Sequence, residues 1–520
     1  MYLDVEEDQS RYKQYVKVEK YKIKMDMDII GGGNLLESKE KNGQVTEPML
    51  DKLSRAPHEG RKLFQYLVTL IAGLMAMQSG MKLSWTSPTG PYLTSPESFI
   101  IGMTENDMSW VCSLMALGAV FGAVPAGKIA DKIGRKIAII VTALPFLISW
   151  LMIIFTRDLT NLYIARFIGG IGAGAACVLV PVYIGEVAEP SIRGALGSFF
   201  PLLFSIGIVF VYTVGAYTDY STFNIACCAT LLPFILTIYF LPESPLWLVQ
   251  NGQIKAAEKS LIILRGNNYK IQKEISLLQE EAERVESKSG GFKDLMCTRA
   301  GRKALRTCIG LMWFQQMCGI DAVLFYTVQI FKEAHSTIDP FLATIIIGII
   351  EVFMAIIVAV VIDKFGRKPL LVISGTAMTL CLGVLGYYFK LQADKTYDVS
   401  AIGWLPLTCL SLFNVVFSVG YGAVPYAVIS ELFPPETKGV ASSLSIMVNW
   451  ILVFVVTKFF PVMVNAIGQA ITFWTFATMS ALSAVFAYLF VPETKGKTLK
   501  EIQTKLALHH NKIPKITDPI

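Results

Sequence analysis

The 520-residue chain is 53% hydrophobic and only 17% charged, with a mean hydropathy of +0.52. Soluble domains carry roughly 25% charged residues, so these proportions exclude a soluble enzyme or binding module and place the chain in a membrane. The formal charge of +6 comes from Lys and Arg gathered in a few short segments, a pattern that membrane topology produces and that requires no nucleic acid.

Residues 1–62 form a charged, tyrosine-rich segment with KVEKYKIKMD and a GGG at 31–33; it has no signal-peptide pattern and is expected to be a cytosolic N-terminal tail. After it come about twelve apolar runs of the roughly 20 residues that an α-helix needs to cross about 30 Å of hydrocarbon. They cover 63–83, 109–130, 137–156, 161–185, 195–217 and 223–241, then 308–331, 340–362, 369–389, 403–428, 439–463 and 470–491. Lipid leaves no backbone amide unpaired and the runs lack the alternation of barrel strands, so the expected fold is an all-α integral membrane bundle of twelve transmembrane helices. The runs divide six and six: an N-terminal half over 63–249, a charged helical linker over 250–306, a C-terminal half over 307–491 and a tail over 492–520. Basic residues cluster in GKIADKIGRK, DKFGRK and the linker, whereas Trp85 to Asp107 has no Lys or Arg. The linker and, with an even number of spans, both termini are therefore expected on the cytoplasmic side of a multi-pass protein.

The two halves repeat one another. Asp131 and Arg135 in DKIGRK return as Asp363 and Arg367 in DKFGRK; Glu186 with Arg193-Gly194 returns as Glu431 with Lys438-Gly439; and Pro242-Glu243 returns as Pro492-Glu493. Each pair is separated by roughly 230 to 250 residues, the mark of parallel copies. These charges sit at helix ends, where they can pair across helices and form a cytosolic gate that breaks when the halves rock apart. A single DKxGRK would serve equally as a topology signal, but its duplication together with Glu-x6-Arg/Lys-Gly favours the gate.

Other signals are weaker. GGIGAG at 169–174 lies inside an apolar run with no strand before it, so small-residue helix packing explains it better than a dinucleotide loop. Gly and Pro in YGAVPY, 421–426, are expected to break the tenth helix. The nine cysteines form no CxxC pair, and eight fall in the apolar runs; His58, His335, His509 and His510 are scattered. No disulfide framework, metal site or cofactor is expected. There is no phosphate-binding lysine loop and no Ser/His/Asp arrangement, so the chain does not read as a pump or an enzyme.

GKIADKIGRK, PVYIGEVAEPSIRG, PESPLWL, QQMCGIDAVLFY, DKFGRKP, YGAVPYAVISELFPPETKG, NW and PETKGKTL resemble, in order and spacing, the sugar porter family of the major facilitator superfamily, over about residues 63 to 505. Within that family, WTSP at 85–88 and FPLLFSIG at 200–207 look most like the insect facilitated trehalose transporters. The resemblance implies a central sugar site that faces each side in turn, lined mostly by the second half. Carried over by position, Gln315 and Gln316 would hydrogen-bond sugar hydroxyls, which suits amides because they donate and accept without charge. Asn449 and Trp450 would add an amide and an aromatic face. Ties between helices are the simpler alternative for the glutamines, and plain packing for Trp450.

The chain also departs from the pattern. Pro201 replaces the early span-5 glutamine of glucose-carrying members, Tyr426 the usual span-10 tryptophan and Leu246 the arginine of PESPRWL. Asp321 stands for the family's span-7 asparagine, and Glu351 for its span-8 asparagine or glutamine. A carboxylate facing lipid costs on the order of several kcal/mol, so both should face the bundle interior. There they are sugar ligands, a proton site, or structural groups hydrogen-bonded to neighbouring helices.

The expected function is facilitative transport of a neutral sugar, trehalose or a hexose such as glucose, by alternating access in the cell membrane. The alternatives are a proton-coupled sugar or polyol symporter and a non-transporting sugar sensor. The expected partners are the sugar and the lipid bilayer, and the sequence says nothing of oligomeric state.

Overall fold

Long apolar runs can satisfy their backbone in lipid only by coiling, and the computed structural model is helical throughout. It describes residues 62–266, 269–287, 292–394, 399–497 and 499–507, and among them every regular element is a helix. Most of the 1–62 tail, and the C-terminal tail beyond 507, lie outside the described residues.

The first half holds α1 (Lys62–Leu93), α2 (Glu105–Ile133), α3 (Arg135–Phe155), α4 (Leu159–Val187), α5 (Arg193–Tyr217) and α6 (Tyr220–Phe240). The second holds α7 (Arg299–Glu333), α8 (Pro340–Lys364), α9 (Arg367–Ala393) and α10 (Ser400–Leu432), then one 54-residue run, Thr437–Phe490. At 1.5 Å per residue that run would be about 80 Å long, far more than a bilayer core. Gly468 resolves this with a φ of 79°, outside helical geometry. The run is thus two spans, α11 (437–467) and α12 (469–490), which brings the eleven apolar runs to twelve. Polar caps start several helices at the end away from the DKxGRK motifs: a Thr104–Asp107 capping box on α2, Asp158 on α4, Asp219 on α6 and Asp339 on α8.

Glycines set the closest approaches. A Cβ at Gly118 or Gly122 of α2 would lie 2.0 Å from the carbonyl oxygens of Phe167 and Ile171 in α4. One at Gly170 or Gly174 of α4 would lie 2.0 Å from those of Met115 and Ala119. The GGIGAG stretch is therefore half of a seam in which two backbones touch. In α10, a π-helical segment at Ser418–Gly422 separates Leu405–Phe417 from Val424–Leu432, so the break falls within and just before YGAVPY, as the Gly and Pro predict.

The halves meet where α2 packs on α11, α5 on α8, and the later part of α1 on that of α7. Three linker helices, Ile254–Arg265, Ile271–Ser287 and Phe292–Cys297, follow α6. They dock at the motif end: Ser260 Oγ donates to the Glu243 carbonyl at 2.6 Å, and the buried Arg265 donates to the Val187 carbonyl at 2.7 Å and pairs with Glu274 at 3.0 Å. A cation on the last carbonyls of α4 suits the negative end of that helix.

Candidate functional site

At the motif end of the first half, the turn between α2 and α3 aims Arg135 inward. Its Nε donates to both Glu186 oxygens at 3.2 and 3.1 Å, Nη2 reaches Glu186 at 3.1 Å, and Nη1 reaches Asp131 at 2.7 Å. The guanidinium fork matches a carboxylate on each edge. Glu243 was expected to join this charge pairing. It instead accepts the backbone N–H groups of Arg135 and Lys136 at 2.8 and 3.0 Å. The first turn of α3 has free amides and the positive end of the helix dipole, and the end of α6 delivers the carboxylate there. A Cβ at Gly134 would sit 2.4 Å from Glu243 Oε2, so this approach needs glycine.

The second half copies the plan. Arg367 donates to Glu431 Oε1 through Nε at 3.1 Å and Nη2 at 2.8 Å, and Glu493 accepts the N–H groups of Arg367 and Lys368 at 3.0 and 3.1 Å. Two of the expected gate residues stand apart, and the side chain of a third is not described. The Asp363 side chain lies outside the described residues, Lys438 is exposed, and Arg193 is exposed with its Nη2 3.5 Å from the Ala188 carbonyl. The described ion pairs of both networks close within a half rather than between halves.

Burial pushes the Glu493 carboxyl up, but the amides of Lys495, Arg367, Lys368 and Thr494 outweigh it and hold the group below its ordinary value. A carboxyl depressed by folding stabilises the protein above its unfolded pKa of about 4.3 and loses that contribution as pH falls through the folded value. Thermal melting of the purified protein should therefore show Glu493→Gln below wild type at pH 7, with the gap closing under about pH 4. A gap independent of pH would contradict the capping role.

At the centre, QQMCGID is a helix break. Arg299–Met317 ends, Gly319 takes a φ of 86°, and Ile320–Glu333 begins, so Gln315 and Gln316 precede the break and Asp321 opens the next helix. Gln315 is held at both ends of its amide within the protein: Nε2 donates to the Tyr421 carbonyl at 2.8 Å, and Oε1 accepts from Asn449 Nδ2 at 3.0 Å. It ties α7 to α10 and α11. Gln316 Oε1 and Asp321 Oδ2 are buried without a hydrogen-bond partner among the described residues. Tyr426 of α10 lies beside Gln315, Asp321 and, across from the first half, Cys177 of α4, yet 46% of it is accessible. Trp450 is buried next to Asn449 on α11.

Glu351 of α8 has neighbours on α5. One turn before it, a Cβ at Gly348 would lie 3.0 Å from Val209 and 3.1 Å from Tyr212 of α5, and the Glu351 carboxylate acts on Tyr212. It therefore sits on the α5–α8 seam between the halves, with Oε2 buried and unpartnered.

Two buried cations escaped the sequence analysis. Lys82 of α1 and Arg166 of α4 are both 0% exposed. Lys82 Nζ donates to Ser149 Oγ at 2.7 Å and lies 3.2 Å from the Trp150 ring centroid. Arg166 donates to the Val111 and Lys82 carbonyls at 3.0 and 2.7 Å. Like Glu351, each is a charge inside an apolar run, 63–83 for Lys82 and 161–185 for Arg166, and that signal alone could have found both.

The profile described as "Sugar (and other) transporter" matches residues 59–506. The chain belongs to this family. Among sugar transporters, it is 36% identical over 469 residues to a facilitated trehalose transporter of Aedes aegypti, covering 89% of this chain and 58% of that protein. It is 37% identical over 463 residues to one from Bombyx mori, covering 88% and 90%. The chain thus spans little more than half the length of the Aedes relative. Among solved structures, the inward open xylose transporter XylE from E. coli superposes with a TM-score of 0.71 at 26% identity, covering 85% of this chain and 99% of that one. The proton:xylose symporter XylE bound to 6-bromo-6-deoxy-D-glucose gives 0.70 at 27%, covering 86% and 99%. The fold is that of the major facilitator superfamily.

Proposed function

We propose that this sugar transporter family member is a facilitative carrier for a neutral sugar, trehalose or a hexose such as glucose, working by alternating access between two six-helix halves over 63–249 and 307–491. The observation that carries the reading is that Gln316 Oε1 and Asp321 Oδ2 are buried acceptors with no hydrogen-bond partner among the described residues, with the partly accessible Tyr426 within electrostatic reach of Asp321. Such acceptors suit the vicinal hydroxyls of a sugar. The trehalose-transporter relatives support the substrate class. In this reading the motif end is cytoplasmic, with both termini and the linker, the membrane is the plasma membrane, and the Arg135 and Arg367 networks hold the cytosolic ends of their own halves. Gln315 and Asn449 position the site, and Gln316, Asp321, Tyr426 and Trp450 face or shape it.

Uptake of labelled trehalose and glucose into oocytes expressing the chain tests this directly. Surface expression with uptake of neither would overturn it in favour of a sensor. Gln316→Ala should raise the KM about tenfold, the loss of roughly 1.4 kcal/mol that one or two hydrogen bonds supply, while surface expression stays intact. An unchanged KM would remove Gln316 from the site.

Glu351 favours a second reading, proton-coupled uptake, because its buried Oε2 lacks a partner on a seam that must move. A sugar-evoked inward current that grows in acid and is lost in Glu351→Gln would establish it; electroneutral uptake would leave the carrier facilitative.

A further inference from the structure

We infer that Lys458 is the residue that sets the balance between the two facing states of this carrier, a role that rests on the alternating-access reading above. Among the described residues, every hydrogen bond joining the halves lies toward the end opposite the DKxGRK motifs. Four links are neutral: Thr86 to the Phe325 carbonyl at 3.3 Å, the Val328 amide to Ser87 Oγ at 3.3 Å, and the Tyr212 hydroxyl with the Leu324 carbonyl at 3.0 Å and with Thr327 Oγ1 at 3.5 Å. The links that involve charge all join α2 to α11. Lys458 Nζ donates to Asn106 Oδ1 at 2.9 Å and to Ser109 Oγ at 2.7 Å, and it lies 4.2 Å from the Trp110 ring centroid. Asn465 donates to Glu105 at 2.9 Å.

The described contacts of the Lys458 ammonium are thus with the opposite half. Moving α2 away from α11 removes two charge-assisted hydrogen bonds and a cation–π contact together. The motif-end ion pairs differ, because each closes within its own half and need not break when the halves separate there. The repeat makes α5–α8 the counterpart of α2–α11, yet the described hydrogen bonds of Tyr212 at the corresponding end of α5 are made by a neutral hydroxyl. Among the described residues, the charged cross-half links are thus confined to one of the two repeat-related seams. Lys458 is partly accessible, so water replaces its partners on opening, and the bias it supplies is moderate rather than absolute.

The test needs no knowledge of the sugar. Ser87→Cys places a thiol at the closed seam, and an impermeant maleimide added from the outside reports how often that seam opens. Adding Lys458→Met, which keeps length and loses charge, should raise the labelling rate about three- to tenfold, while Lys458→Arg should restore the slow rate. Asn106→Ala with Ser109→Ala on the opposite half should reproduce the rise, and combining them with Lys458→Met should add little. Where sugar uptake is measurable, Lys458→Met should also lower the KM for entry relative to that for exit, a ratio that a loss of folded protein would not move. Equal labelling rates in Lys458→Met and its parent would overturn the assignment even if sugar is carried; absence of uptake with the labelling shift intact would instead count against the proposed function.

Discussion

Arg135→Ala should leave little folded transporter. The guanidinium is nearly buried, with 9% of its side chain exposed against 12% for that of Glu186, and it reaches Glu186 and Asp131 on two helices. Removing one partner from such a group costs about 3–5 kcal/mol, because the carboxylate left behind keeps its desolvation without its counter-charge. Arg135→Lys should recover only a small part, since an ammonium cannot serve two edges at once. Double substitution with Glu186→Gln should recover more, because it removes the stranded charge. Thermal melting in detergent, with surface expression in cells, measures all three; a melting temperature for Arg135→Ala within a degree or two of wild type would show that the network contributes nothing.

A comparable loss is expected from Gly170→Val or Gly122→Val on the α2–α4 seam. The first new carbon would fall 2.0 Å from a backbone oxygen of the opposite helix. A side chain in the way can rotate, but a helix backbone has to move as a body. Overpacking a core costs about 1–3 kcal/mol where side chains yield, and more where they cannot. Valine at either position should abolish surface expression, while Gly185→Val, with open space around its Cβ, should leave it largely intact. Equal expression of the three variants would show that the seam tolerates separation.

Much of the fold was legible because lipid removes alternatives. A run of 20 apolar residues has one stable backbone, and a repeated DKxGRK can be counted without coordinates. The site was legible in its parts but not in its assembly. Gln315 and Gln316 are adjacent in sequence with the same chemistry, yet successive residues of a helix point about 100° apart, so one ties to Tyr421 and Asn449 while Oε1 of the other has no partner among the described residues. Glu351 shows the same limit: its depth in an apolar run was plain, but that its helix would meet α5 at Val209 and Tyr212 depended on the rotation of α8, which the contact at Gly348 fixes. Glu243 and Glu493 were read by sign as members of ion pairs. Their true partners are backbone amides, whose partial charge no composition displays.

The closure of the motif-end network within the first half also bears on how the protein is made. Asp131, Arg135, Glu186, Glu243, Ser260, Arg265 and Glu274 all precede α7 in the chain. At a synthesis rate of roughly 5–20 residues per second, about ten seconds or more pass between the emergence of Glu274 and that of Glu493. The first six helices can therefore finish their charge pairing in the bilayer while the rest is still on the ribosome. The second half has no such interval, because Glu493, which caps α9, follows the last span. Its final cap forms only after all twelve spans have been made, when the seam at Lys458 can also close.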